Sequence, residues 1–378
     1  MSLKLDSKIT NSLENIYYDL QVYNNTNASQ NLQFFEKRNS KFLGSDKSPV
    51  SSYSVAVVRF CIDSNLPFMT LEPLIDGVNT DPNKLVYSFT MTYKNYTYQQ
   101  YLTFVPQNLQ YSAPQLTQQN IENPYYWLND AQSFIDIVNT GLSDCWNGLN
   151  ALVIASGDSL NNSSANINID MNPTTYIMTL NADVLQYDQS GSVANPISVY
   201  MNSELHTYLK PLRTNNAGYN NLLGQDVQLI IKNNNGNNIY TGSNGVNYIQ
   251  SYTEWSVGGV WNMVDSVLMT TDLPIVSSYT SAPNINDPFF LSSVPLSNTE
   301  KQLSDFNFGG SDVGNATLTG GQIAYSPTAQ YRYISLDTAQ PLDAIFINFQ
   351  WKSKRGNYYQ YTLDVSQNAS VKLLFTKV

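Results

Sequence analysis

This chain has little charge, little sulfur and almost no histidine. Of its 378 residues only 13% are Asp, Glu, Lys or Arg, where an ordinary soluble protein has roughly 25%. Two cysteines, Cys61 and Cys145, exclude a disulfide framework and a cysteine-ligated zinc cluster. His206 is the sole histidine, so any His-dependent catalysis, a Ser-His-Asp triad included, has to run through it. The sequence holds no apolar run of about 18 residues, so no membrane span is predicted, and Met1 to Thr10 lacks the apolar core of a secretory signal.

Amides and phenols take the place of charge, with 46 asparagines and 27 tyrosines beside a hydrophobic share of 42%. That composition is poor in helix formers and rich in strand and turn formers. With no block of like charge, it can bury a core and is not disordered. The net charge of −10 argues against a surface given over wholly to nucleic acid. The charge is also uneven. Residues 1–48 carry six basic and five acidic side chains and 330–378 carry six and three, so the two ends sum to +4 and residues 49–329 to −14. If the ends meet, the molecule has a mildly basic pole and a strongly acidic body, as expected where one end faces a polyanion and the other faces water.

Period-two alternation recurs along the chain. Ile16–Tyr23 and Ser52–Ile62 read as core strands. Leu85, Tyr87, Phe89, Met91 and Tyr93 share one face, and Lys94-Asn95 can turn the chain into Tyr96–Tyr98, predicting a hairpin. Asp226–Lys232, an Asn-rich turn and Ile239–Thr241 predict a second. Phe134, Val138, Leu142, Cys145 or Trp146, and Leu149 recur at helical spacing, predicting a helix near 130–150 capped by Asn129 or Asp130. Strands are expected again over Trp255–Tyr279, Tyr331–Leu336, Ala344–Trp351, Tyr358–Val365 and Ser370–Lys377, with 281–330 a long loop region. Many short strands, decorated loops and one helix describe an all-β sandwich.

Few residues suggest chemistry. Ala151–Leu160 reads as an apolar strand ending in Gly157-Asp158-Ser159-Leu160, which resembles the nucleophile block of GDSL-type ester hydrolases. That family draws its base from an Asp-x-x-His. Here Ser203 stands where the Asp belongs before His206, so a turn at a strand end is the better reading. Asp76–Asp81 offers oxygen atoms without the alternating ligands of a calcium loop, and Gly309–Gly314 lacks the Lys-Ser or Lys-Thr of a phosphate loop. No catalytic residue, metal or cofactor is therefore expected. Asn123-Pro124-Tyr125-Tyr126-Trp127 is the densest aromatic segment, and it reads either as a sugar-stacking surface or as a hairpin or interface cluster.

The last 120 residues carry a resemblance. Trp261–Ile275 resembles a strand pair of the penton and minor capsid proteins of virophages and polinton-like viruses. The order then continues with Leu303-Ser304-Asp305-Phe306, Ala324-Tyr325-Ser326-Pro327, Tyr331–Leu336, Pro341–Trp351 and Val371-Lys372-Leu373-Leu374-Phe375. Upstream, Ile197–Leu205 is similar to a further stretch of that family. The Asn/Tyr-rich composition looks most like the penton protein of Sputnik-type virophages.

The resemblance implies a single jelly-roll sandwich with long inserted loops or a second β-rich upper region and one helix. Residues 1–80 with 250–378 would form the jelly-roll core, and 81–249 the inserted region. It implies a structural virion protein made in the host cytoplasm, no enzyme, that closes the five-fold vertices of an icosahedral capsid as a homopentamer. Neighbouring major capsid protein capsomers would be its partners, with the genome on the inner face. Tyr125, Tyr126 and Trp127 are then the expected interface, and Lys352, Lys354 and Arg355 the genome-side basic set. The alternatives are a small double-jelly-roll major capsid protein forming trimers, and a GDSL-like hydrolase or glycan-binding module.

Overall fold

A computed structural model describes residues 15–37, 43–44, 49–63, 66–107, 111–121, 123–217, 224–276, 301–307, 317–319, 322–326 and 331–378. The chain divides into two compact units, Met1–Leu66 with Val264–Val378, and Pro67–Met263. Residues 67–80 and 250–263 thus belong to the second unit.

The chain opens with strands β1 (Asn15–Tyr23), β2 (Gln33–Lys37) and β3 (Tyr53–Asp63). Alternation in β1 sends Tyr18 and Leu20 inward and Tyr17, Asp19, Gln21 and Tyr23 to the surface. The second unit follows: β4 (Lys84–Tyr93), β5 (Tyr96–Thr103), α1 (Ala131–Ala155), β6 (Ile167–Met171) and β7 (Met178–Asp183). It continues with β8 (Ser198–Met201), α2 (Ser203–Leu209), β9 (Thr214–Asn216), β10 (Val227–Leu229), β11 (Ile239–Thr241) and β12 (Asn247–Tyr252). The first unit resumes with β13 (Val264–Thr271), β14 (Lys301–Asn307), β15 (Gln322–Tyr325), β16 (Ala344–Ser353) and β17 (Asn368–Lys377).

In the first unit these strands pair antiparallel in the orders β1-β17-β3-β15 and β2-β16-β13-β14. Two such four-stranded rows, each pairing a strand from before the inserted unit with strands from after it, are the sheets of a jelly roll. Phe60 of β3 reaches across to Phe306 of β14, edge-on at 4.7 Å, and to Phe349 of β16 at 6.0 Å. These rings, with Val55, Ile62, Val267, Ile347, Val371 and Phe375, fill the space between the sheets. The second unit is inserted between the third and fourth jelly-roll strands. The expected long loop at 281–330 is crossed by β14, β15 and a short strand, Thr317–Thr319; its other residues lie outside those described, apart from Ser326. Among the described residues of Trp255–Tyr279 only β13 is a regular strand, because Gly258–Trp261 forms a helical turn before it.

The second unit is organised around α1. An antiparallel five-stranded sheet, β5-β4-β8-β10-β9, and a four-stranded one, β11-β12-β7-β6, share a core with the helix. Asp130 caps α1 by accepting from the Ser133 N–H at 2.8 Å. Its buried face carries Phe134, Val138, Leu142, Cys145, Trp146 and Leu149, the residues the sequence periodicity picks out. The two glycines within it face β5: a Cβ at Gly141 would overlap Leu102, and one at Gly148 the Tyr98 ring. The helix-weakening residue is therefore what allows close packing.

The first predicted hairpin is β4–β5, with Tyr93 opposite Tyr96 and Lys94 in the left-handed region at φ 50°. The second does not form. Both edges of β10 are occupied, by β8 and β9, so Ile239–Thr241 pairs instead with β12 through the turn at Gly242–Val246.

Candidate functional site

The Gly157-Asp158-Ser159-Leu160 string is not at a strand end, since α1 runs on to Ala155. Gly157, at φ 78°, closes the helix: its N–H donates to the Ile154 carbonyl at 2.9 Å and the Asp158 N–H to that of Val153 at 3.1 Å. This pair of bonds is a Schellman cap. Asp158 accepts from Lys94 Nζ at 2.6 Å, which holds its carboxyl below the usual range, and Ser159 donates its N–H to that same carboxylate. His206 lies on α2, where burial and then the nearby Lys210 charge keep its imidazole below its ordinary pKa. Burial pushes the Cys145 thiol up to about 12, and Cys61 is also raised, first by burial and then by Asp63. These groups form no nucleophile–base arrangement among the described residues, and each has a structural explanation.

The Asp76 turn is likewise self-contained. Its carboxylate accepts from the Asn79 N–H at 2.6 Å and the Val78 N–H at 2.9 Å, and those bonds hold it below the carboxylate range. Gly309–Gly314 lies outside the described residues.

The aromatic segment is a correction to the sequence reading. Tyr125 and Tyr126 are buried within the second unit. The Tyr125 hydroxyl donates to Asn83 Oδ1 at 2.7 Å, the Tyr126 hydroxyl to the Pro82 carbonyl at 2.9 Å, and both rings pack against Phe104. Trp127 is half-buried. An uncharged aromatic run suits a core as well as an interface, and here tertiary packing takes the two tyrosines inward.

Lys352 stands near the end of β16 and Lys354 and Arg355 in the tight turn that follows it, where the Ser353 N–H donates to the Asn357 carbonyl at 2.8 Å and the Gly356 N–H to the Ser353 carbonyl at 2.9 Å. Because Ser353 pairs with Val264, this turn lies beside the start of β13, where the first unit resumes. Lys352 Nζ is 3.8 Å from Asp265, and burial lowers the Lys354 ammonium pKa against an opposing pull from that same carboxylate. Asp265 thus offsets part of the positive charge.

Two surfaces escaped the sequence reading. One is the lateral edge of the jelly roll made by β1 and β2, which exposes Tyr17, Tyr23 and Phe35, at 56%, 59% and 66%. Among the described residues neither strand pairs with a further strand on its outer side. The other is the outward face of the four-stranded sheet in the second unit, lined by tyrosines and amides. Period-two reading of Asn247–Tyr252, where Tyr248, Gln250 and Tyr252 alternate with Ile249 and Ser251, is the signal that reveals it.

With the jelly roll and its insertion defined, comparison with known proteins becomes informative. The family model described as Sputnik minor capsid protein V18/19 matches residues 16–377. The chain belongs to that family. Among curated relatives from Sputnik virophage, the uncharacterized protein V18 is 33% identical over 118 residues, covering 27% of this chain and 66% of V18. Structural protein V19 is 24% identical over 205 residues, covering 53% of this chain and 89% of V19. The chain thus spans just under two thirds of V18 and most of V19. In fold, this V18/19 family member is similar to a chain of the Sputnik virophage cryo-EM structure, with a TM-score of 0.75, 23% identity and coverage of 96% of this chain and 98% of that one. It is also similar to the mavirus penton protein, with a TM-score of 0.60, 11% identity and coverage of 96% and 99%. The resemblance read from the C-terminal motifs is thus a family membership. Those motifs fall on β13 to β17, where Val267, Leu303, Phe306, Trp351, Val371, Leu373 and Phe375 are core residues. No helix among the described residues is long and apolar enough to cross a membrane.

Proposed function

We propose that this capsid-family protein is the penton subunit, closing the five-fold vertices of an icosahedral shell as a homopentamer beside major capsid protein capsomers. The observation that carries this reading is that the chain contains one jelly roll with one insertion, matched over nearly its whole length by a penton protein fold. A trimeric double-jelly-roll capsomer would need a second jelly roll, whereas the inserted unit is built on a 25-residue helix between two sheets. A structural role agrees with the capsid homologues.

A closed ring of identical copies needs a heterologous contact, one patch fitting a different patch on the next copy. The edge formed by β1 and β2, with Tyr17, Tyr23 and Phe35 exposed, supplies one such patch. This replaces Tyr125 and Tyr126 as the expected contact. Lys352, Lys354 and Arg355 would meet the genome only against the competing charge of Asp265, and the penton reading does not depend on them.

Native mass spectrometry of the full chain tests the proposal. A mass five times 42.4 kDa is expected, and Phe35→Glu should shift the population toward smaller species. A species three times the monomer mass would overturn it in favour of a trimeric capsomer. A strict monomer, alone and when mixed with major capsid protein, would overturn it altogether.

A further inference from the structure

We propose that the outward face of the sheet β11-β12-β7-β6 is a binding platform for a neutral glycan. One face of this sheet packs Leu180, Ile169, Ile249, Ile167 and Ala182 into the core of its unit. The register places the opposite face in three rows: Tyr252, Thr179 and Asp170; Gln250, Asn181 and Asn168; and Tyr240, Tyr248 and Asp183. Asn181, Tyr248 and Asp183 are themselves buried beneath their neighbours, so the accessible part is Tyr252, Thr179, Asp170, Gln250, Asn168 and Tyr240. A sheet face made of tyrosines, amides and carboxylates, with no apolar residue and no lysine or arginine in its four strands, is an unusual surface.

The polar groups are held in fixed orientations. The Tyr252 hydroxyl donates to Gln250 Oε1 at 3.0 Å, and Gln250 Nε2 donates to Asn181 Oδ1 at 3.0 Å. Asn181 Nδ2 donates to Asp170 Oδ2 at 2.7 Å, and Asn168 Nδ2 to Asp170 Oδ1 at 3.0 Å. Asn168 and Gln250, both partly exposed, each retain a donor or acceptor beyond these bonds, and the exposed Asp170 carboxylate retains lone pairs, while the buried Asn181 holds the row in place. Such preorganised amides and a carboxylate suit vicinal hydroxyls, which present a donor and an acceptor side by side.

The aromatics supply the other half. Tyr240 stacks on Tyr248 with ring centroids 5.6 Å apart and an interplanar angle of 25°, and remains 39% exposed; Tyr252 is 60% exposed. Tyr248, opposite Tyr240, precedes Tyr252 by four residues along β12, so the two exposed rings lie about 13 Å apart along the strand direction. They bracket the amide row, as the C–H faces of a short oligosaccharide would require, and they give large rigid contact area for little lost entropy. Charge selects within this class. The second unit contains five basic and 14 acidic residues, a net of −9, which disfavours nucleic acid and sialylated or sulfated sugars.

The test is titration of the full-length chain with maltotriose, cellotriose, mannotriose and triacetylchitotriose, followed by saturation-transfer NMR, with sialyllactose as the anionic control. At least one neutral trisaccharide should bind saturably and more tightly than sialyllactose. Tyr252→Ala and Asp170→Asn should each weaken it by about tenfold, Tyr252→Trp should retain it, and all three should melt as the parent does. Saturation by none of the neutral sugars would overturn the proposal, as would binding that Tyr252→Ala leaves unchanged. If Tyr252→Ala instead alters the native mass, the face is an interface between copies and the glycan assignment is wrong. None of these readouts depends on the pentamer.

Discussion

The two units draw on one Asn- and Tyr-rich vocabulary but handle charge differently. The jelly-roll unit has 14 basic and 15 acidic residues, a net of −1, and the inserted unit a net of −9. In the jelly roll, Asp19 is shared by Lys372 at 3.1 Å and Arg59 at 3.9 Å, Arg332 pairs with Asp305, and Lys352 with Asp265. In the inserted unit, Lys94–Asp158 is the one ion pair among the described residues. Several of its other carboxylates bind backbone N–H groups instead: Asp76 in a turn, Asp130 and Asp183 at helix starts, Asp188 with Asn233 and Asp226 with Ser203. Part of the surplus negative charge is tolerated there because backbone and amide N–H donors, not lysines, satisfy it. The lesson is that net charge and local charge satisfaction are separate properties, and an acidic unit need not lack partners for its carboxylates.

Each unit also has its own core, so perturbing one should leave the other's packing intact. Phe60→Ala, which removes the ring linking the two jelly-roll sheets, should cost about 3–5 kcal/mol, lowering a first calorimetric transition while the inserted unit melts as before. A single transition that shifts as a whole would show that the units are thermodynamically coupled. Gly148→Ala is the mirror experiment. Its Cβ would overlap the Tyr98 ring, so the inserted unit should lose about 1–3 kcal/mol with the jelly roll unaffected. A Gly148→Ala protein as stable as the parent would mean that Tyr98 can move aside freely.

Acidification gives the smallest and most discriminating contrast. Backbone bonds hold Asp76 and the Lys94 contact holds Asp158 below the carboxylate range, so their stabilisation is complete above the ordinary range and is lost as pH falls through their depressed pKa values. Asp272 of the jelly roll is raised by burial, against the opposing Phe346 N–H bond, so its ionisation costs stability at neutral pH and protonation relieves it. Below about pH 4, the inserted unit should therefore lose stability relative to the jelly roll. Calorimetry across that range at constant ionic strength would show the opposite order if the surplus negative charge dominates.

Much of the fold was legible locally. The strands at Ile16–Tyr23 and Ser52–Ile62, the hairpin turning at Lys94 and the helix with Phe134, Val138 and Leu142 on one side follow from periodicity, which burial on one face imposes on any strand or helix. Other readings failed where local pattern is degenerate. Ala151–Ala155 is apolar in either a strand or a helix, and only the five-residue-earlier carbonyl of Val153 reveals Gly157-Asp158 as a cap. Asp226–Lys232 had a plausible hairpin partner next in sequence, but β8 and β9 already occupied both its edges.

By itself the sequence determined the class of the protein: which residues alternate inward, where turns fall, and a C-terminal series of core motifs shared with minor capsid proteins. Those properties are encoded within a few residues of one another, at the period of the element itself. Only the tertiary structure decided that β1 lies beside β17, that Tyr125 and Tyr126 turn inward while Tyr240 and Tyr252 stay out, and that Asn168, Asp170, Asn181 and Gln250 meet on one face. Each of these depends on pairing between strands far apart in the chain, and a strand's pattern states which face is buried without stating which strand lies beside it.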